Sequence, residues 1–334
     1  MTFNEIWSEY ITQKRKRVKP STVSTYIFTW GKIKDFFGEK EISSITTKMV
    51  EKWVLNQLDS VSRKTVKDRL ILVNNIIDWY CYEYEENVSK INIKYIHWPT
   101  INSFKGGDVV QMKTFTTEDI RSLLCKIAED PQPCNIIMAI MIGTGIRIGE
   151  ASALKYRNIN LETKSIEIEG TIERINIDSD FKKEEFDRMG VIVLHKSKRS
   201  AVILSTPKCL SSRRSIPVPS ELLKILKKFK EIYPPDYYIG TNSYKPIEPR
   251  TLRKHHYKLL EAAGLEVRLS PHSLRHTYAT NLITSGIDVT TTAALLGHGD
   301  TSTTLAIYSH ATPESKNKAM KNTIGKQFRK ILGK

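Results

Sequence analysis

Four short runs carry side chains that could do chemistry together. The first is Gly143-Thr144-Gly145-Ile146-Arg147-Ile148-Gly149-Glu150, in which two glycines precede an arginine at a helix start. Backbone amides and a guanidinium brought to one place suit a phosphate oxygen, which accepts N–H donors and a planar fork. The same run also suits a plain helix–helix turn closed by an ion pair between Arg147 and Glu150. The second run is Ser270-Pro271-His272-Ser273-Leu274-Arg275-His276-Thr277. Ser270 is a good N-cap and Pro271 a good first helical residue, so His272 and Arg275 fall in the first turns. At i and i+3 they share one face beside the positive end of the helix dipole, an arrangement that attracts anions. The third, Ala293-Ala294-Leu295-Leu296-Gly297-His298-Gly299-Asp300, reads as a helix ended by a glycine cap with His298 just beyond it. Further on stands Tyr308, which alone reads as a half-buried aromatic. The fourth run, from Thr206 to Pro217, reads as a β-hairpin whose turn presents Lys208; alone it is a solvated basic turn.

The elements that must position these residues follow from periodicity. The first ~90 residues read as four helices. Phe3, Ile6, Trp7 and Tyr10 mark the first, over 2–12, with a basic cluster after it at Lys14, Arg15, Lys16, Arg17 and Lys19. Pro20-Ser21-Thr22 starts a second, with Val23, Tyr26, Trp30 and Ile33 on one face as far as Phe37-Gly38. The third covers 47–58 and the fourth 62–84, the latter carrying Val66, Leu70, Val73, Ile76, Ile77 and Tyr80 at core spacing. Between 85 and 112 Asn, Ser, Pro and Gly replace the period, which is how a linker reads. Thr116-Thr117-Glu118 then opens a second domain with helices at 117–129, 134–144 and 148–154. From 159 to 219 the period is two, with strands at 165–169, 191–195, 202–204 and 215–218, and the charged stretch 172–199 reads as an inserted β-element. Helices return at 220–231, 249–263, 271–284, 288–296 and 301–309, before a basic tail.

Charge and composition narrow the partner. The chain has 334 residues, 52 of them Lys or Arg and 36 Asp or Glu, for a net charge of +16. Such an excess points to a polyanion, because polyphosphate backbones release condensed counterions when bound by cations. With 40% hydrophobic residues the chain can bury real cores, which excludes a disordered or collagen-like chain. The most apolar stretch, 136–148, is far below the ~20 residues of a membrane span, and no basic head followed by an apolar run opens the chain. Cys81, Cys125, Cys134 and Cys209 form no CxxC pair and read as reduced, mostly buried thiols. A soluble, intracellular protein is expected.

Read together, the order and spacing of the four runs with Tyr308 resemble those of the tyrosine recombinases, also called phage-type integrases. GTGIRIGE, a hairpin lysine, HSLRHTYAT, LGHGD and a final tyrosine recur there in this order. The resemblance implies a multidomain α and α+β fold: a four-helix, SAM-like core-binding bundle (1–90), a linker (91–114) and a mainly helical catalytic domain (115–312). That domain would hold a small antiparallel sheet and a β-insertion at about 172–199, and a basic tail (313–334) would dock onto a neighbouring subunit. It implies that Tyr308 attacks the scissile phosphate to give a 3′-phosphotyrosine and a 5′-hydroxyl. Arg147 and Arg275 would hold the non-bridging oxygens, whose charge grows in the transition state. His272 and His298 would add hydrogen bonds and help manage the tyrosine proton, and Lys208 would protonate the leaving oxygen. Lys196 and Lys198, on a nearby strand, compete with Lys208 for that role.

The chemistry is consistent with that assignment. A tyrosine of pKa about 10 needs cationic neighbours and a proton acceptor to attack at neutral pH. Two arginines, a lysine and two histidines supply them, so neither a metal nor a cofactor is expected. No Asp/Glu cluster of the two-metal kind and no GxxxxGK[ST] loop accompanies the motifs. The expected partners are double-stranded DNA at two recombination sites and three further copies in a homotetramer. The accessory DNA-bending or directionality proteins of such systems form a further class. Lys14, Arg15, Lys16, Arg17, Lys19, Thr22, Arg63, Lys64, Arg213 and Arg214 are the candidate DNA-contacting side chains. A cytoplasmic, nucleoid-associated location follows. The insertion is similar to that of conjugative-transposon integrases. The core-binding helices begin almost at Met1, which suits either a member without the N-terminal arm-binding domain or a trimmed chain. Two rivals stay open: a type IB topoisomerase-like enzyme, which shares the tyrosine chemistry, and a non-catalytic DNA-binding regulator.

Overall fold

The structure, a computed structural model, describes residues 1–99, 113–177, 182–188, 190–205 and 213–297. The chain divides into two units, Met1–Val110 with Ile175–Ala201, and Gln111–Arg174 with Val202–Lys334. Residues 175–201, which the sequence pattern assigns to the catalytic domain, thus group with the N-terminal helices.

In the first unit α1 (Phe3–Arg17) is opened by a capping box: Thr2 Oγ1 accepts from the Glu5 amide and Glu5 Oε2 from the Thr2 amide. The helix runs on through Lys14–Arg17 rather than stopping before them, because cations in a last turn complement the negative end of the dipole. The single helix expected over 20–38 is two, α2 (Pro20–Trp30) and α3 (Lys34–Phe37). Gly31 follows α2 and Ile33 leaves the helical region at φ −122°, which turns both Ile33 and Phe37 into the core. Then come α4 (Thr47–Leu58) and α5 (Arg63–Glu83), as the period predicts. Val66, Leu70, Val73, Ile76 and Ile77 of α5 are fully buried against Phe3, Ile6 and Tyr10 of α1, and Trp7 stacks on Trp30 with centroids 4.8 Å apart. Buried Ser24 of α2 accepts a hydrogen bond on Oγ from the amide of Asn176, 2.9 Å away.

The second unit is built around α7 (Pro133–Thr144), whose residues Asn135 to Met141 are all buried; this is the apolar stretch of the sequence, used as a central helix. Around it pack α6 (Thr117–Glu129), α8 (Ile148–Ala153), α10 (Ser220–Ile232), α11 (Pro249–Ala262) and α12 (Pro271–Thr284). The last described helix is α13 (Val289–Leu296). The helix expected at 301–309 and the tail 313–334 lie outside the described residues.

Among the described residues there are two three-stranded sheets, the expected small sheet and a second that takes in the expected β-insertion. β1 (Ile159–Asn160), β2 (Ser165–Ile168) and β6 (Arg214–Pro217) pair antiparallel in the order β1-β2-β6, with Ile166 opposite Ile216 and Ile168 opposite Arg214. The other sheet has the order β3-β5-β4, from β3 (Thr171–Asn176), β4 (Val191–Lys196) and β5 (Ser200–Ser205). A short α9 (Lys183–Arg188) precedes β4 and packs against it. β5 and β6, expected as the two arms of one hairpin, belong to different sheets. Cys81 and Cys134 are half-buried, whereas Cys125 is exposed, against the expectation for a thiol. Among the described residues no helix is long and apolar enough to cross a membrane.

Candidate active site

The C-terminus of α7 and the N-termini of α8 and α12 meet the C-terminus of α13, and this is where the motif residues gather. α7 ends in Gly145, which adopts φ +64°. A Cβ there would lie 2.4 Å from Cδ1 of Tyr278 on α12, so glycine serves both the left-handed turn and the close approach of the two helices. The turn aims the Gly145 carbonyl at Arg275 and places Arg147 just ahead of α8.

Arg275 is 3% exposed, and its two terminal nitrogens donate to carbonyls of Gly145 (3.0 Å) and Leu296 (2.8 Å). Arg147 is more open, its side chain 40% exposed. Its Nη1 donates to Glu150 Oε1 at 2.9 Å, its backbone amide to Oε2 of the same carboxylate at 2.9 Å, and Nη2 to the Gly297 carbonyl at 3.4 Å. The plain ion pair between Arg147 and Glu150 therefore exists, and it sits inside the cationic cluster rather than in place of it.

A third guanidinium completes the cluster. Arg214 donates through Nε to the Leu295 carbonyl (2.9 Å) and through both terminal nitrogens to Glu150 (3.2 and 2.9 Å). Arg214, Arg275 and Arg147 thus reach three successive carbonyls, those of Leu295, Leu296 and Gly297, at the negative end of α13. Burial alone would raise the Glu150 carboxyl, but Arg214 and then Arg147 hold it below the usual carboxylate range.

His272 stands on the rim of this cluster at the start of α12, its ring edge-to-face with His276 at 4.5 Å. Partial burial, then the charges of Arg275 and Arg147, lower its pKa from 6.5. Burial, His272 and Arg275 push His276 down to about 4. Lowered pKa values favour the neutral ring, which accepts a hydrogen bond on one nitrogen and donates one from the other. Guanidiniums anchored on backbone carbonyls and on Glu150, beside two imidazoles, form a cradle for an oxyanion. Among the described residues no three His, Cys, Asp or Glu side chains gather to hold a metal ion.

Of the sequence-predicted catalytic residues, the structure brings Arg147, His272 and Arg275 together. Lys208, His298 and Tyr308 lie outside the described residues. Lys196 and Lys198 are exposed. Among the candidate DNA contacts, Lys16, Arg17, Arg63, Lys64 and Arg213 are exposed, and Lys14, Lys19 and Thr22 half-buried. Arg15 is buried, and the Arg214 side chain, 7% exposed, is spent on Glu150 and α13 and so does not face outward. Beside Arg63, the Trp98 indole lies under both Arg63 (4.9 Å) and Lys67 (5.4 Å).

Comparison with known proteins adds three findings. The phage integrase family profile matches residues 113–315, and that of the phage integrase N-terminal SAM-like domain matches 2–58. A tyrosine recombinase XerC-like protein of Caldanaerobacter subterraneus subsp. tengcongensis is 29% identical over 225 residues, 63% of this chain and 53% of that protein. This chain thus spans about half the length of that relative. Tyrosine recombinase XerC of Listeria monocytogenes serotype 4b is 25% identical, covering 76% of this chain and 74% of its own. Among solved structures, the Tn1549 transposon integrase in complex with transposon right-end DNA superposes with a TM-score of 0.73 at 18% identity, over 96% of this chain and 99% of that one. A lambda integrase tetramer bound to a Holliday junction gives 0.63 at 15% identity, over 92% and 77%. These two likenesses show a shared fold.

Proposed function

Because the chain belongs to the phage integrase family, we propose that it is a site-specific DNA recombinase that cuts and rejoins DNA through a 3′-phosphotyrosine intermediate. The observation that carries this reading is the convergence of Arg147 and Arg275 at one place, beside His272. The scissile phosphate takes over N–H donors now spent on backbone carbonyls. Tyr308 attacks phosphorus, the bond to the 5′ oxygen breaks, and Lys208 supplies the proton that makes a 5′-hydroxyl. His272 and His298 hydrogen-bond the phosphate and relay the tyrosine proton. Two arginines balance the charge that grows on the non-bridging oxygens. Attack of a 5′-hydroxyl on the phosphotyrosine reverses every step, and the phosphodiester energy is conserved.

Residues 1–90 form the core-type DNA-binding domain, 91–114 the linker and 115–312 the catalytic domain, with 313–334 docking onto a neighbouring subunit. Four copies act on two sites, exchanging strands through a Holliday junction to integrate and excise a mobile element of the conjugative-transposon kind. Lys16, Arg17, Arg63, Lys64 and Arg213 touch phosphates, and the protein works in the cytoplasm on the nucleoid. The tyrosine recombinases among its relatives and the likeness to DNA-bound integrases support this reading.

Covalent trapping tests it. Nicked, fragmented source DNA is incubated with the wild type and with Tyr308→Phe, denatured, and the attached DNA sequenced. An adduct with wild type only is expected, with DNA affinity nearly equal in the two proteins. An adduct surviving in Tyr308→Phe removes the nucleophile assignment, and plasmid relaxation without joined sites would turn the reading toward a topoisomerase.

A further inference from the structure

Arg213 and Arg214 are neighbours in sequence with opposite environments. Arg213 is exposed, while Arg214 opens β6 and buries its guanidinium between α8 and α13. Its fork takes both oxygens of Glu150, and its Nε takes the Leu295 carbonyl. Gly297 lies against the guanidinium: a Cβ there would meet Nη1 at 2.7 Å, Cζ at 2.9 Å and Nε at 3.0 Å. The glycine of the LGHGD run is therefore needed twice, for its φ of +67° and for this contact. A lysine could supply the charge at position 214 but not a planar fork reaching three acceptors.

We propose that Arg214 is a positioning residue for strand cleavage, tying the end of α13 to the Glu150–Arg147 pair; the proposal rests on the recombinase reading above. Two consequences follow from the geometry. The chain leaves Gly297 toward His298 from a point held by Arg214, Arg275 and Arg147 together. Glu150 also divides its charge between two guanidiniums. Without Arg214 the buried carboxylate has Arg147 as its remaining guanidinium partner in this cluster, and Arg147 is drawn away from the phosphate it must hold.

Single-turnover formation of the covalent adduct at saturating DNA separates positioning from binding. Arg214→Ala and Arg214→Lys are expected to cleave about 10²-fold more slowly, the scale for a misplacement of ~1 Å, with DNA affinity changed less than about threefold. Millimolar guanidinium should restore part of the rate to Arg214→Ala and none to Arg275→Lys, whose site stays filled. Gly297→Ala leaves Arg214 in place and pushes a methyl into it, so it provides the test if the Arg214 variants fail to fold; it too should slow cleavage at unchanged affinity. Wild-type rates in folded Arg214→Lys or Gly297→Ala would overturn the proposal, as would rate and affinity falling together in step with melting temperature. A wild type that forms no adduct would overturn the recombinase reading with it, whereas equal adducts in wild type and variants would overturn only the role of Arg214.

Discussion

At the scale of single residues, the cations of the site are held partly by backbone carbonyls and partly by one buried carboxylate, Glu150. Arg275, 3% exposed, donates to the Gly145 and Leu296 carbonyls from the end of α7 and the end of α13. Arg275→Ala is expected to lower the cleavage rate by at least ~10²-fold, the scale for losing one transition-state donor. A single-turnover assay in which the rate changes less than threefold would contradict that role. Arg147, His272 and Arg275 were legible in the sequence because their spacing is local: a cap, a proline and an i,i+3 pair put them at helix starts. Which of Arg213 and Arg214 points inward was not. Successive side chains on a strand point to opposite faces, and only the register against β2, with Ile168 opposite Arg214, decides which face is covered.

Among the elements, the turn between α7 and α8 is the most constrained. Gly145 combines a left-handed backbone with a contact to Tyr278 that leaves no room for a methyl. Gly145→Ala should therefore destabilise the catalytic unit by roughly 1–3 kcal/mol, through overpacking and backbone strain, and displace the carbonyl that holds Arg275. Urea unfolding checks the first effect and the adduct assay the second; a variant unchanged in both would mean that the turn relaxes freely. The long helices were legible because each carries a full apolar stripe, as α5 does from Val66 to Tyr80. α9 was not, being short and heavily charged, and β3 was legible only as part of the inserted β-element, its partner β5 lying some thirty residues on. The pairing of β2 with β6 joins Ser165 to Pro217 across some fifty residues, a contact that no local pattern announces. The break in the helix at 31–33 was likewise settled by tertiary packing, which needed both Ile33 and Phe37 in one core.

For the molecule as a whole, the titration of histidines with lowered pKa values sets an acid limit. Burial is the first cause lowering the pKa of His255, His256, His272 and His276 below 6.5, with His276 reaching about 4. Between pH 6.5 and 4 the unfolded chain binds protons that the folded one refuses, so stability falls as pH falls through that window. The depressed Glu150 carboxyl adds stability that is present above its unfolded value of 4.5 and lost below it, extending the decline. Melting temperature should accordingly drop steadily from pH 7 to pH 4, and His276→Gln should flatten part of the slope; a pH-independent melt would refute it. DNA affinity, by contrast, should weaken steeply with salt, as expected of many phosphate contacts. The grouping of Ile175–Ala201 with Met1–Val110 bears on how the protein is made. A ribosome delivers the N-terminal helices first, then the segment Gln111–Arg174 that belongs elsewhere, and only afterwards the strand whose Asn176 amide reaches Ser24. At ~5–20 residues per second that interval lasts several seconds, during which Ser24 must wait in the nascent chain for a partner not yet synthesised.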